Sequence, residues 1–218
     1  MELDFRGLLF DLDGTLVDSR EVITRAWEAF GLKYNVAADI ILPTVQGKPT
    51  YEAIKALRPE ASHEDVTSDA LWLEAMEAKD TEGVIALPGS LKLLNAFNDM
   101  NIPWAIVTSG TLPVATARIK AANLPFPQVL VTPELISKGK PDPEPYLLGA
   151  SKLGLEATDC IVFEDAPAGV ISGVSAGSKV IGILSQFDKS ILFENKAMVC
   201  VSSLSEVSLL SDTVLFTP

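Results

Sequence analysis

The stretch Leu8-Leu9-Phe10-Asp11-Leu12-Asp13-Gly14-Thr15-Leu16 decides the fold of this chain. Gly7 to Phe10 is a short apolar run, rich enough to form a strand buried on both faces. It runs directly into two aspartates spaced i, i+2. In a continuing strand Asp11 and Asp13 point to the same side, which places two like charges at the edge of a core. Burial raises carboxylate pKa values, and a neighbouring negative charge raises them further. A fold keeps such a pair where a metal or a proton transfer needs it. An Asp-Gly turn closing a strand accounts for most strings of this kind. It accounts less well for this one, because matching polar residues close other strands downstream.

Beyond Leu16 the pattern turns helical. Asp18 or Ser19 caps a helix with Val22, Ile23, Ala26, Trp27 and Phe30 on one face, stopped by Gly31. Pro43 and Gln46-Gly47-Lys48-Pro49 mark a turn. Thr50 opens a short helix that ends at Pro59, and Ser62 caps another carrying Val66, Ala70, Leu73 and Met76. The acids on that last helix read as a solvated face. From Glu82-Gly83 onward strands and helices alternate. Trp104–Val107, Val129–Val131, Cys160–Phe163, Val180–Ile183 and a last short run at Val214–Phe216 read as strands. Such alternation means an α/β fold, a Rossmann-like parallel sheet with helices on both faces. The expected division is a discontinuous sheet domain, residues 1–16 and 84–218, with an all-helical unit, residues 17–83, inserted after the first strand.

Composition narrows the partners. The chain has 218 residues, 48% of them hydrophobic, and a formal net charge of −12 from 17 basic and 29 acidic residues. A substantial core is therefore available, and a basic footprint for nucleic acid is missing. No apolar run approaches the roughly 18 residues of a membrane span, and no signal pattern opens the chain. Cys160 and Cys200 lie in apolar runs and read as buried thiols rather than a disulfide. The expectation is a soluble, cytoplasmic monomer.

Ligands of a parallel α/β sheet bind beyond the carboxyl ends of its strands. Three strands here end in Asp11/Asp13, Thr108-Ser109 and Glu164-Asp165, and Lys140 sits in a loop that can reach them. Carboxylates from two strands make a hard oxygen site for Mg²⁺. A lysine and a hydroxyl beside backbone N–H groups at a helix start suit a phosphoryl group. Each piece has a plainer reading by itself: a helix cap, a surface lysine, an acidic pair at a helix start. Their joint appearance at strand ends favours phosphoryl transfer.

Phe10-Asp-Leu-Asp-Gly-Thr-Leu16, Val107-Thr-Ser-Gly110, Gly139-Lys-Pro-Asp-Pro143 and Phe163-Glu-Asp-Ala-Pro-Ala-Gly169 together resemble the four ordered motifs of the haloacid dehalogenase superfamily. The resemblance spans essentially the whole chain, with a helical cap inserted after the first motif. Within the superfamily it is strongest to bacterial phosphatases of small sugar, hexitol or polyol phosphates. It implies Asp11 as nucleophile, through an aspartyl-phosphate, and Asp13 as general acid and base. It implies Mg²⁺ held by the Asp11 carboxylate, the Asp13 backbone carbonyl and Asp165, with Glu164 one step further out. Thr108, Ser109 and Lys140 are implied to hold the phosphate, helped by backbone N–H groups around Ser109 and Gly110. The cap turn Gln46-Gly47-Lys48 is implied to read the small phosphorylated metabolite.

A phosphosugar mutase of the β-phosphoglucomutase type shares this core and cap. Thr15 favours the hydrolytic members, since such mutases usually carry Val there. Asp13 argues against a dehalogenase and against a phosphonate hydrolase. A binding or regulatory protein that has lost turnover is the alternative of another class, and the filled catalytic positions argue against it. His63, the only histidine, reads as an exposed first-turn residue, and Trp27, Trp72 and Met76 read as cap packing. Gly169, Gly173 and Gly177 recur every fourth residue, the mark of close helix–sheet packing.

Overall fold

A computed structural model describes residues 2–45, 49–210 and 213–216. Its centre is a six-stranded parallel sheet. The strands are β2 (Gly7–Phe10), β5 (Trp104–Val107), β6 (Val129–Val131), β7 (Cys160–Glu164), β8 (Lys179–Ile183) and β9 (Val199–Val201), in the order β6-β5-β2-β7-β8-β9. The expected α/β parallel sheet is met. Strand alternation sends Leu8, Phe10, Ile106, Phe163 and Ile181 to one face, where α5 (Ser90–Asp99) and α6 (Leu112–Ala121) cover them with Phe97 and Ile119. Leu9, Ala105, Val162 and Val180 go to the other face, under Tyr146 and Ala150 of α7 (Glu144–Lys152) and Val170 of α8 (Pro167–Ser175). Phe10 stacks on Phe163 with ring centroids 4.7 Å apart, which ties the two central strands just below their acidic ends.

The inserted segment forms four helices: α1 (Arg20–Tyr34), α2 (Ala38–Val45), α3 (Thr50–Leu57) and α4 (His63–Lys79). They enclose their own apolar cluster, including Trp27, Phe30, Ile41, Ile54, Val66 and Leu73. Ser62 caps α4 through a reciprocal capping box with Asp65. His63 is exposed at the first position of that helix. The chain leaves and re-enters the sheet through a two-residue ribbon, β3 (Val17–Asp18) against β4 (Ile85–Ala86), where no strand was expected.

Other departures from the sequence reading have local causes. Helix α1 does not stop at Gly31 but continues to Tyr34 and ends at Asn35, which takes a φ of 54°. Gly31 serves packing: a Cβ there would run into Ile41 and the Val36 carbonyl. Pro43 lies inside α2 rather than in a turn, in a helix anchored by the buried Ile41 and Val45. The strand at the C-terminus, β11 (Thr213–Phe216), joins β1 (Glu2–Asp4) and β10 (Val207–Leu210), both unread in the sequence, in a separate antiparallel sheet. Gly173 lies close against Val180 and Val162, as expected, whereas Gly177 sits past the helix at a φ of 89°. The last helix is α9 (Lys189–Glu194), and Cys160 and Cys200 are free thiols, Cys200 only half-buried. Among the described residues no helix is long and apolar enough to cross a membrane.

Candidate active site

Strands β5, β2 and β7 are neighbours whose ends are level, because Phe10 pairs with Ile106 on one side and Phe163 on the other. Asp11 therefore leaves the sheet beside Val107 and Glu164, held by its own N–H to the Phe163 carbonyl at 3.0 Å. Lys140 reaches the same point from the loop before α7. Its Nζ donates to Asp11 Oδ1 at 2.6 Å, Glu164 Oε1 at 2.6 Å and the Val107 carbonyl at 2.9 Å. All three ammonium donors are thus placed, and Lys140 rather than Lys138 is the lysine of the site. Glu164 is fully used as well. Oε1 also accepts from the Tyr146 hydroxyl at 2.8 Å, and Oε2 accepts from the N–H groups of Asp165 and Ala166.

Asp11, Glu164 and Asp165 each offer a carboxylate oxygen within 4.8 Å of the others, and all three residues are buried. Burial pushes the Asp11 carboxyl above its ordinary range; Lys140 pulls it back and Glu164 pushes it up again. Burial also raises Asp165, with Asp11 and Glu164 adding to the effect. Lys140 stays charged in spite of its burial because Asp11 and Glu164 face it. One ammonium does not balance three carboxylates. A hard cation that takes oxygen ligands fits the Asp11 and Asp165 oxygens and the surplus charge to which the committed Glu164 adds.

Asp13 is half-buried and lines the same cavity as Asp11, Glu164 and Asp165. Its Oδ1 accepts from Ser19 Oγ at 2.7 Å, and its Oδ2 accepts from Arg118 Nη1 at 2.6 Å. The second arm of Arg118 donates to Glu77 of α4. This corrects the reading of the α4 acids as a solvated face. Glu77 is largely buried, and burial raises its carboxyl above the ordinary value against the pull of Arg118. Asp69, on the same helix, is buried too, beneath Lys33, Tyr34 and Arg58.

Thr108 is buried, and its Oγ1 accepts the Gly110 N–H at 3.0 Å, so that donor is already committed. Ser109 is exposed beside it. These residues line a cavity of about 570 Å³ between the sheet ends and the inserted helices. Ile23, Trp27, Leu42, Val45 and Phe187 give it apolar walls, with Thr24, Thr50 and Gln186 among them. Trp27 therefore packs and also faces the cavity, beyond the packing role expected of it. The turn Gln46-Gly47-Lys48 lies outside the described residues; Val45 and Pro49, on either side of it, both line the cavity.

Two glycines are required by the site. Gly14 has a φ of 87°, and a Cβ on it would strike the Asp165 carboxylate and Gln186. A Cβ on Gly169 would overlap the Glu164 carboxylate. Six residues that hold the acids of the site escaped the sequence in that role: Ser19, Glu77, Arg118, Tyr146, Ser185 and Gln186. Ser185 and Gln186 follow β8 and donate to Asp165 Oδ2 at 3.2 and 2.9 Å, so the end of a further strand was the available signal.

A parallel sheet whose central strand ends in this aspartate pair, with a lysine and two acids from neighbouring segments, defines a class of hydrolase. Residues 5–177 match the family model of the haloacid dehalogenase-like hydrolases, and the chain belongs to that family. It is similar to hexitol phosphatase A of Escherichia coli K12, with 44% identity over 203 residues and 93% of both chains covered. It is 34% identical to glycerol-1-phosphate phosphohydrolase 2 of Saccharomyces cerevisiae, over 93% of this chain and 84% of that one. Among solved structures, a hydrolase from Pseudomonas syringae superimposes with a TM-score of 0.82 at 29% identity, covering 92% of this chain and 94% of the other.

Proposed function

We propose that the chain is a Mg²⁺-dependent phosphatase of small sugar or polyol phosphates, acting through an aspartyl-phosphate. The observation that carries this reading is the buried set of Asp11, Glu164 and Asp165 around Lys140, with Asp13 lining the same cavity. The relatives named above support the substrate class and do not favour a mutase over a phosphatase. Residues 1–16 and 84–218 act as the catalytic core in this proposal and residues 17–83 as a cap. A cytoplasmic setting accords with the two free thiols.

In the first step an Asp11 oxygen attacks phosphorus, the ester P–O bond breaks, and Asp13 gives its proton to the leaving oxygen. In the second, water attacks the aspartyl-phosphate and loses a proton to Asp13. The P–O bond to Asp11 then breaks and inorganic phosphate leaves. Thr108, Ser109 and Lys140 hold the phosphoryl oxygens, Lys140 exchanging one of its present acceptors for phosphate. Asp11, Asp165 and the Asp13 backbone carbonyl hold Mg²⁺, with Glu164 steadying Lys140 and the Asp165 backbone. When bound, Mg²⁺ neutralises phosphate charge beside Asp11. Gln46, Gly47 and Lys48 read the leaving group, a role supported by the cavity-lining positions of Val45 and Pro49.

Phosphate release across a panel of phosphorylated metabolites, with Mg²⁺ and with chelator, tests the proposal. Expected is metal-dependent turnover that is highest on small polyol or sugar phosphates. Absence of turnover on every member, with Mg²⁺ present, would instead favour a binding protein that keeps the fold.

A further inference from the structure

We propose that Arg118 and Glu77 form a positioning pair through which the docked cap orients Asp13 for proton transfer. This inference rests on the phosphatase reading above.

Arg118 is 3% exposed, on α6, and its guanidinium stands between two acids that come from different parts of the molecule. Asp13 belongs to the loop after β2. Glu77 belongs to the last turns of α4, in the inserted helical segment. The two η nitrogens divide the work, Nη1 to Asp13 at 2.6 Å and Nη2 to Glu77. A planar guanidinium can hold two carboxylates in fixed directions, which an ammonium cannot do with the same geometry. Nε is buried and has no partner among the described residues, so the side chain is held by these two acids alone.

A simple strut between α4 and α6 would explain a buried ion pair. It would not explain why the pair ends on the acid that faces the phosphate site. Asp13, Glu77 and Arg118 all line the cavity, so the chain of contacts opens onto reacting atoms rather than into packed core. Asp13 is held at both oxygens, by Ser19 on Oδ1 and by Arg118 on Oδ2. Each carboxylate oxygen has two lone-pair directions, so one on each remains for a leaving group or water. Rotation of the carboxylate, however, is stopped. Proton transfer needs such placement, since a misplacement of about 1 Å costs on the order of a hundredfold in rate.

Glu77 supplies the cap's part. With Glu77 in place, Arg118 is divided between two acids and cannot close on Asp13 with both arms. When α4 moves away, or when residue 77 loses its charge, the guanidinium is free to turn onto Asp13 as a two-pronged pair. That pair occupies both oxygens from one side and turns the carboxylate away from the phosphate. Glu77 is thus a residue of the inserted segment that completes a group of the core.

The test separates two leaving groups. The value of kcat/KM reports the steps through transfer of phosphate to Asp11. Release of p-nitrophenolate needs no proton, whereas release of glycerol from glycerol 1-phosphate does. Glu77→Gln keeps shape and an acceptor oxygen, and Arg118→Lys keeps charge without the fork. Both are expected to lower kcat/KM for glycerol 1-phosphate by about tenfold or more, while p-nitrophenyl phosphate stays within about twofold. A purely structural role would lower both substrates together. Equal losses on the two substrates, or no loss on either, in either variant would overturn the inference while wild-type turnover stands. Wild-type protein inactive on both substrates would overturn the phosphatase reading itself, and this inference with it.

Discussion

Lys140 Nζ stands 2.6 Å from Asp11 Oδ1, with Lys140 9% exposed and Asp11 8%. A buried pair of this kind is costly to break, because the partner left behind remains desolvated. Here the lysine also faces Glu164, so its removal leaves two acids uncompensated. Lys140→Met is therefore expected to lower phosphatase activity by about 10²–10³-fold. Without Mg²⁺ it should also destabilise the protein by about 3 kcal/mol. Thermal denaturation and steady-state kinetics check the two effects. A fully active Lys140→Met protein would remove Lys140 from the phosphate site.

Asp11→Asn separates chemistry from folding. The substitution keeps the shape of the side chain and removes a charge whose burial is unfavourable. Turnover is expected to fall by about 10⁴-fold or more, as for other covalent nucleophiles, with the melting temperature close to that of the wild type. Substantial phosphate release by a verified Asp11→Asn sample would rule out the aspartyl-phosphate.

The inserted helices carry a pH-sensitive ion cluster of their own. Asp69 accepts from Lys33 Nζ at 2.8 Å, Tyr34 Oη at 2.6 Å and Arg58 Nη1 at 2.5 Å. Burial pushes its carboxyl up, and these three donors outweigh burial, leaving it below its ordinary value of 3.8. A carboxyl depressed in the folded state contributes stability above its unfolded pKa and loses it as pH falls through the folded one. Asp69→Asn should therefore destabilise the protein by about 3 kcal/mol at pH 7. The gap between variant and wild type should begin to close below about pH 4. Denaturant unfolding at pH 7 and in the acid range measures it. A gap that does not depend on pH would mean that shape rather than charge matters at residue 69.

Gly169 allows α8 to start directly over Glu164. A methyl group there overlaps the carboxylate that anchors Lys140, Tyr146 and two backbone N–H groups. Gly169→Ala is expected to cost about 1–3 kcal/mol through overpacking. Activity should fall more steeply than stability, since the displaced group is Glu164. Equal activity with a lower melting temperature would show that the helix, not Glu164, absorbs the strain.

The legible part of this protein was the part written at strand ends. Asp11, Thr108, Glu164 and Asp165 each follow an apolar run, and a parallel sheet brings the ends of such runs to one edge whatever the loops do. Lys140 was found because the pattern around it, Gly139-Lys140-Pro141, resembles a family motif. Arg118 and Glu77 were hidden because their partners are 105 and 41 residues away from Arg118 and each lies on a helix whose local pattern is satisfied without them. Gly31 and Pro43 misled for the opposite reason. Both carry strong local stop signals, which tertiary packing around Ile41 overrode. Strand β1 has a single apolar residue, Leu3, between two acids, which is too little pattern to be read as a strand.

Gln186 offers a test of the metal site that does not alter a proposed ligand. Its Nε2 donates to Asp165 Oδ2 at 2.9 Å, and Ser185 Oγ reaches the same oxygen at 3.2 Å. Together they fix the direction of a buried carboxylate that would otherwise turn away from Asp11 and Glu164, whose charge repels it. Partners that orient a metal ligand typically matter by about 10–100-fold in metal affinity. Gln186→Ala leaves Ser185 in place, so the lower end of that range is expected. The Mg²⁺ concentration for half-maximal activity should rise by about tenfold, with kcat at saturating Mg²⁺ little changed. The thermal stabilisation that Mg²⁺ gives at a fixed concentration should shrink in parallel, since it grows with the ratio of ligand to Kd. Gln186 also faces the cavity, so a substrate-reading role is the competing account. That role would raise KM for the phosphorylated substrate and leave the Mg²⁺ requirement and the Mg²⁺-dependent melting shift as they are in the wild type. Loss of Mg²⁺ dependence altogether in either protein would remove the metal from Asp165.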